Sequence, residues 1–152
     1  MANTYTQLYI HLIFAVSGRT NSIKSEYKIE IEKYISGFLK NKKHKLLAIN
    51  CMPDHSHIFI GLNPEHSVSN LVREMKISSA NFINEKKLTL GKFSWQEGYG
   101  AFSYSKSSID NVIKYINNQQ EHHRKKSFQE EYINFLNKYN ISFDERYIFK
   151  SD

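Results

Sequence analysis

Apolar residues recur along this chain in two rhythms. Runs rich in aromatic and β-branched residues occupy 5–16 (YTQLYIHLIFAV), 45–52 (KLLAINCM) and 57–62 (HIFIGL), and they predict strands. Between them the spacing changes. Ile31, Tyr34, Ile35 and Phe38 share one stripe and predict a helix over 26–40. Val68, Leu71, Val72, Met75, Ser79 and Phe82 follow the 3, 4, 7 spacing of an amphipathic helix over 67–87. KFSW and GAFSYS suggest a hairpin around 92–105. A helix over 108–124 follows, with Ile109, Val112, Ile113 and Ile116 as its core stripe. A short amphipathic helix starts at Ser127, where Glu130 completes a capping-box pattern. The order strand, helix, strand, strand, helix, strand predicts an α+β fold. It is the ferredoxin-like (RRM-like) plan, an antiparallel sheet with helices on one face. Behind it come the helix bearing Tyr115 and the short additional helix. No repeat or linker divides residues 1–152, so a single domain is expected.

Composition narrows the picture. Lys and Arg total 21 against 15 Asp and Glu, a formal charge of +6. Such a surplus attracts polyanions, nucleic acid first. The 10 Tyr and 10 Phe could serve as core or as stacking platforms for bases. Cys51 is the only cysteine, which excludes an internal disulfide and a multi-cysteine zinc site. The apolar N-terminal stretch lacks a basic flank and is interrupted by His11, so neither a signal peptide nor a membrane span is expected. The expected location is the cytoplasm.

Two patterns carry chemistry. PDHSHIFI places His55 and His57 one residue apart at the head of a strand. Residues i and i+2 point to one face, so both imidazoles can converge on an ion. Short HxH matches also arise by chance, and two nitrogens leave a metal site incomplete. On the helix over 108–124, Tyr115 and Gln119 are an i, i+4 pair. Tyr115 lies off the centre of the core stripe. It suits a boundary tyrosine, or a hydroxyl placed one turn from an amide oxygen that can bind a metal.

MPDHSHIFIGL, FSWQEGYGAFSYSKSS and VIKYINNQQEHH together resemble the single-tyrosine HUH transposases of bacterial insertion sequences, the TnpA-like family, to which the REP-associated tyrosine transposases are related. The resemblance runs from about Tyr5 to about Tyr147. It implies that His55 and His57 bind a divalent ion, Mg²⁺ or Mn²⁺, with Gln119 as third ligand, and that Tyr115 is the nucleophile. It implies single-stranded DNA with hairpin ends as substrate and a 5′-phosphotyrosine intermediate. It also implies a homodimer in which one subunit's tyrosine helix can complete the other's site, with SYSKSS as the hinge. The family's middle HUH residue is usually bulky and apolar. Here it is Ser56, which points to the opposite face of the strand and concerns packing more than ligation. Lys76 matches a family lysine and is expected to contact DNA, with Arg73 beside it and Arg19 as a further match. The run 40–45 reads as a solvated helix end, and 122–126 could track phosphates. His122 and His123 are adjacent and face different ways, so neither is expected in the metal set.

A reading from another class is a non-catalytic RRM-like RNA-binding module. EGYGAFSY (97–104) approaches the RRM signature. That signature belongs on the third strand, however, and the third strand here carries the histidines. A third option keeps the chemistry and changes its purpose: a domesticated relative that cuts palindromes in a host genome.

Overall fold

The computed structural model describes residues 3–144. The Arg19 side chain lies outside the described residues, as does Tyr147, where the resemblance ends. Four strands, β1 (Tyr9–Ala15), β2 (Lys45–Met52), β3 (His55–Gly61) and β4 (Gly100–Tyr104), form one sheet in the order β2-β3-β1-β4. Every pairing is antiparallel. The helices are α1 (Ser25–Asn41), α2 (Val68–Glu85), α3 (Ile109–Asn117), α4 (Gln119–His122) and α5 (Phe128–Lys138). This is the ferredoxin-like arrangement that the element order predicts.

The sheet is buried on both faces. Leu12, Phe14, Ile58 and Ile60 share a core with Ile31, Ile35 and Leu39 of α1 and Leu71, Val72 and Met75 of α2. On the other face, Phe59 packs with Val112 and Ile116 of α3, while Ile13 and Phe102 pack with Phe128 and Leu136 of α5. The C-terminal helices therefore cover the face that the four-strand plan leaves open. Each fully buried side chain of this size contributes roughly 1.5–3 kcal/mol. Phe59 and Ile116, both 0% exposed, thus anchor α3 without any help from site chemistry.

Three local expectations change. The first strand begins at Tyr9, so residues 5–8 precede it. The expected hairpin at 92–105 does not form. KFSW and GAFSY instead lie in tandem along β1, with Trp95 bridging Val16 and Gly100 opposite Ile13. Gly98, at φ +92°, redirects the chain between them without reversing it. A Cβ on Gly100 would meet the Tyr132 ring at 2.8 Å, so only glycine lets α5 approach β4 this closely. Third, the helix expected over 108–124 breaks at Asn118 (φ −99°, ψ 22°). The Ile116 carbonyl then accepts a hydrogen bond from Asn50 Nδ2 on β2, at 2.8 Å.

Candidate active site

β3 begins at His55, so both histidines belong to the strand and share its second face. Both are buried, as is Ser56 between them, which points the other way. Ser56 lies between Cys51 and Phe14 in the register, two residues of the α1–α2 core. Cys51 is likewise a core residue, its thiol pushed up to about 12 by burial.

Each imidazole is oriented from behind. His55 Nδ1–H donates to Asp54 Oδ1 at 2.6 Å, and its ring stacks on Phe128 with centroids 4.1 Å apart. His57 Nδ1 lies 2.8 Å from His11 Nε2, and the two rings stack. His11 thus faces the site and positions His57. Carboxylate and imidazole partners of this kind fix the tautomer of a metal-binding histidine. The break at Asn118 then turns Gln119 inward. Gln119 is fully buried, with Oε1 3.4 Å from His55 Nε2. Tyr115, half-buried on α3, sits with its ring 5.9 Å from that of His57. The four residues expected to form the site, His55, His57, Tyr115 and Gln119, therefore meet in one chain.

Two residues that the sequence reading left out join them. Glu131 of α5 is 2% exposed. Its Oε1 lies 3.1 Å from His57 Nε2, 3.7 Å from His55 Nε2 and 3.2 Å from His123 Nε2. Its Oε2 accepts from the Tyr115 hydroxyl and, at 3.1 Å, from Gln119 Nε2. His123 had been set aside because His122 and His123 face different ways. They do, with ring planes 87° apart, yet both reach Glu131: His122 Nε2 lies 3.5 Å from Oε2, while His123 Nε2 is turned to Oε1 among the other histidines. It sits one turn beyond Gln119, and its Nε2 is 2.9 Å from Gln119 Oε1.

Burial, together with the nearby His55, pushes His123 down to about 4 and holds His57 well below the usual imidazole range. Burial also pushes the Glu131 carboxyl up to about 7. Three imidazoles and one carboxyl group gathered in a buried space are the donor types of a divalent-cation site. The ligand atoms of His55, His57, His123 and Glu131 all lie within 4.8 Å of one another. A cavity of about 410 Å³ opens beside the cluster, lined by Tyr115, Glu131, His122, Lys126 and Lys138 among others.

The expected DNA contacts lie elsewhere. Arg73 is exposed on α2, and Lys76 lines the same groove of about 640 Å³ between α2 and residues 92–99. Lys76 Nζ donates to the carbonyls of Gln96 (2.8 Å) and Gly98 and lies over the Phe14 ring. Burial brings its ammonium down to about 8. The RRM-like segment lies on the edge strand β4, where Phe102 stacks on Phe135 and Tyr139 of α5. That face is covered and offers no platform for bases. Among the described residues no helix is long and apolar enough to cross a membrane.

Residues 4–119 match the family described as "Transposase IS200 like". The chain is 22% identical over 120 residues to the ISDra2 transposase TnpA of Deinococcus radiodurans, covering 76% of this chain and 86% of that protein. It shares its fold with a crystal structure of a candidate transposase from Deinococcus radiodurans R1, at a TM-score of 0.62 and 24% identity over 78% of this chain and 95% of the other. A REP-associated tyrosine transposase bound to a REP hairpin has the same fold at a TM-score of 0.60 and 15% identity, with 81% of this chain and 73% of that one covered.

Proposed function

Because this chain belongs to the IS200-like transposase family, we propose that it is a single-domain HUH enzyme that cuts and rejoins single-stranded DNA at hairpin-flanked ends through a covalent bond to Tyr115. The observation that carries this reading is the convergence of Tyr115 and Gln119 on the His55–His57 pair across separate elements of one chain. His55, His57 and Gln119 would hold a divalent ion, Mg²⁺ or Mn²⁺. When bound, such an ion polarises a phosphate by taking one of its oxygens.

The chain's own groups do the rest. A free tyrosine is a poor nucleophile at neutral pH, since its hydroxyl titrates near 10. Here the hydroxyl already donates to Glu131 Oε2, so its proton has an acceptor in place. The tyrosine oxygen bonds to phosphorus and the bond from phosphorus to the 3′ oxygen breaks. That oxygen leaves as a hydroxyl after taking up a proton. The phosphotyrosine conserves the bond for rejoining, so no nucleotide cofactor is required. Lys126 and Lys138 give the adjoining cavity the charge to receive a phosphate backbone. In this reading one chain supplies the tyrosine and the ligands of its own site. Exchange of tyrosine helices in a homodimer would swing α3 out on residues 105–108, a short polar segment that includes one 3-10 turn.

The test is a denaturing gel. The protein is incubated with Mg²⁺ or Mn²⁺ and labelled single strands copied from both flanks of its gene. A labelled band that survives SDS, and is absent for Tyr115→Phe, is expected. Cleavage retained by Tyr115→Phe would refute the proposal.

A further inference from the structure

We propose that Glu131 and His123 are themselves metal ligands, making a five-donor centre of three imidazole nitrogens and two oxygens that prefers Mn²⁺ to Mg²⁺. The inference rests on the reading of His55, His57 and Gln119 as ligands and extends it.

The argument is one of lone pairs. His123 Nδ1 lies 2.8 Å from the carbonyl oxygen of Lys126, an atom that can only accept. The Nδ1 must therefore carry the hydrogen, which leaves a lone pair on Nε2. That lone pair faces Gln119 Oε1 at 2.9 Å and Glu131 Oε1 at 3.2 Å. With Gln119 Nε2 donating to Glu131 Oε2 at 3.1 Å, its Oε1 is the atom turned toward the histidines. His55 repeats the pattern. Asp54 takes its Nδ1 hydrogen, and its Nε2 lone pair faces the same two oxygens at 3.4 and 3.7 Å. With Glu131 ionised, the Nε2 lone pairs of His55 and His123 face oxygens that only accept, an arrangement that costs free energy unless a cation lies among them. His57 can adopt either tautomer, since its partner His11 can donate or accept. A cation selects the one whose Nε2 is free.

The spacing fits. An octahedral ion with bonds of about 2.1 Å sets neighbouring donors about 3.0 Å apart. The separations here are 2.9, 3.1, 3.2, 3.4 and 3.7 Å. Five protein donors leave one of six positions for a phosphate oxygen. Mg²⁺ keeps several waters and binds through few carboxylates, whereas imidazole suits later transition ions. Between these two ions three imidazoles favour Mn²⁺, which as a transition ion accepts nitrogen donors that Mg²⁺ takes reluctantly. The single carboxylate comes from α5, beyond the tyrosine helix, and its second oxygen is the one that holds the Tyr115 hydroxyl.

The test uses the full chain stripped with EDTA. Mn²⁺ is titrated in, bound ion is read from the loss of the free-ion EPR signal, and Mg²⁺ is then added as competitor. Glu131→Gln and His123→Asn are each expected to weaken Mn²⁺ binding roughly tenfold or more. Millimolar Mg²⁺ should not displace Mn²⁺ from the unaltered protein. Wild-type affinity in both variants, with binding lost in His55→Ala/His57→Ala, would overturn this inference and leave the proposed function standing. Wild-type affinity in the double histidine variant would overturn both. Pulsed EPR of the unaltered Mn²⁺ complex depends on no variant's folding: three coupled imidazoles are expected, and two would refute the assignment.

Discussion

Replacing Asp54 by alanine removes the group that aims His55. The carboxylate accepts from His55 Nδ1 at 2.6 Å, behind a ring that is 1% exposed. Asp54 itself is partly open, its side chain 26% exposed. Burial raises its carboxyl, but the hydrogen bond to His55, the charge of His55 and His123 and a backbone hydrogen bond together outweigh this and hold the group below the usual carboxylate range. A hydrogen bond to a charged group is worth about 1.5–3 kcal/mol, and the open side lets water take over part of it. An effect near the lower end is therefore expected on folding stability. Metal affinity should fall more, because the ring can then turn and present the wrong nitrogen. Loss of such a partner costs roughly 10–100-fold in metal affinity. That is about 1.4–2.7 kcal/mol, since each factor of ten is about 1.4 kcal/mol. The assay is strand cleavage measured across a range of Mn²⁺ concentrations, for wild type, Asp54→Ala and Asp54→Asn. The alanine variant should need much more metal for half-maximal rate and recover most of that rate at saturation. The asparagine variant should fall between, because an amide oxygen still accepts from Nδ1. A lower plateau with unchanged metal dependence would refute the reasoning and give Asp54 some other task.

Two further outcomes are expected. If Lys76 neutralises a phosphate, single-strand affinity should fall as pH rises through about 8, because the ammonium is lost there. The dependence of log affinity on log salt should then shrink by roughly 0.7 between pH 7 and pH 9, a change that Lys76→Ala should abolish; equal pH responses in the two proteins would remove Lys76 from the interface. Asn50→Ala leaves the Ile116 carbonyl buried and unpaired beside the helix break, which should cost about 1–3 kcal/mol. Thermal melts should show Tm lower by several degrees, with weaker metal binding because Gln119 loses its register; an unchanged melt would show that water replaces the amide.

What could be read from sequence was whatever depends on local period. The two-residue repeat of a strand put His55 and His57 on one face, and the four-residue spacing put Tyr115 beside Gln119. The strand pattern holds, and Tyr115 and Gln119 stay neighbours although the helix breaks between them. What escaped depends on partners distant in sequence. The break at Asn118 is tied to Asn50, which takes the Ile116 carbonyl across 66 positions. The tandem pairing of KFSW and GAFSY looked like a hairpin because two strand-like runs flank a glycine, yet Gly98 bends the chain along β1. Glu131 did leave a signal. Phe128, Glu131, Tyr132, Phe135 and Leu136 follow helical spacing, so a carboxylate stands inside an apolar stripe. A charge at such a position needs a buried partner. His123 was masked by its neighbour His122, although four residues separate it from Gln119.

The alternation along β3 also governs how this protein can change over generations. Residues 55, 57 and 59 answer to the C-terminal helices and the chemistry, while 56, 58 and 60 answer to the α1–α2 core. Selection on activity and selection on packing therefore act on alternate letters of one short word. A serine can stand at position 56, between Cys51 and Phe14, without displacing either histidine. The core can be refitted through the even positions without moving the side chains at the odd ones. The strand thereby places the demands of packing and of chemistry on opposite faces.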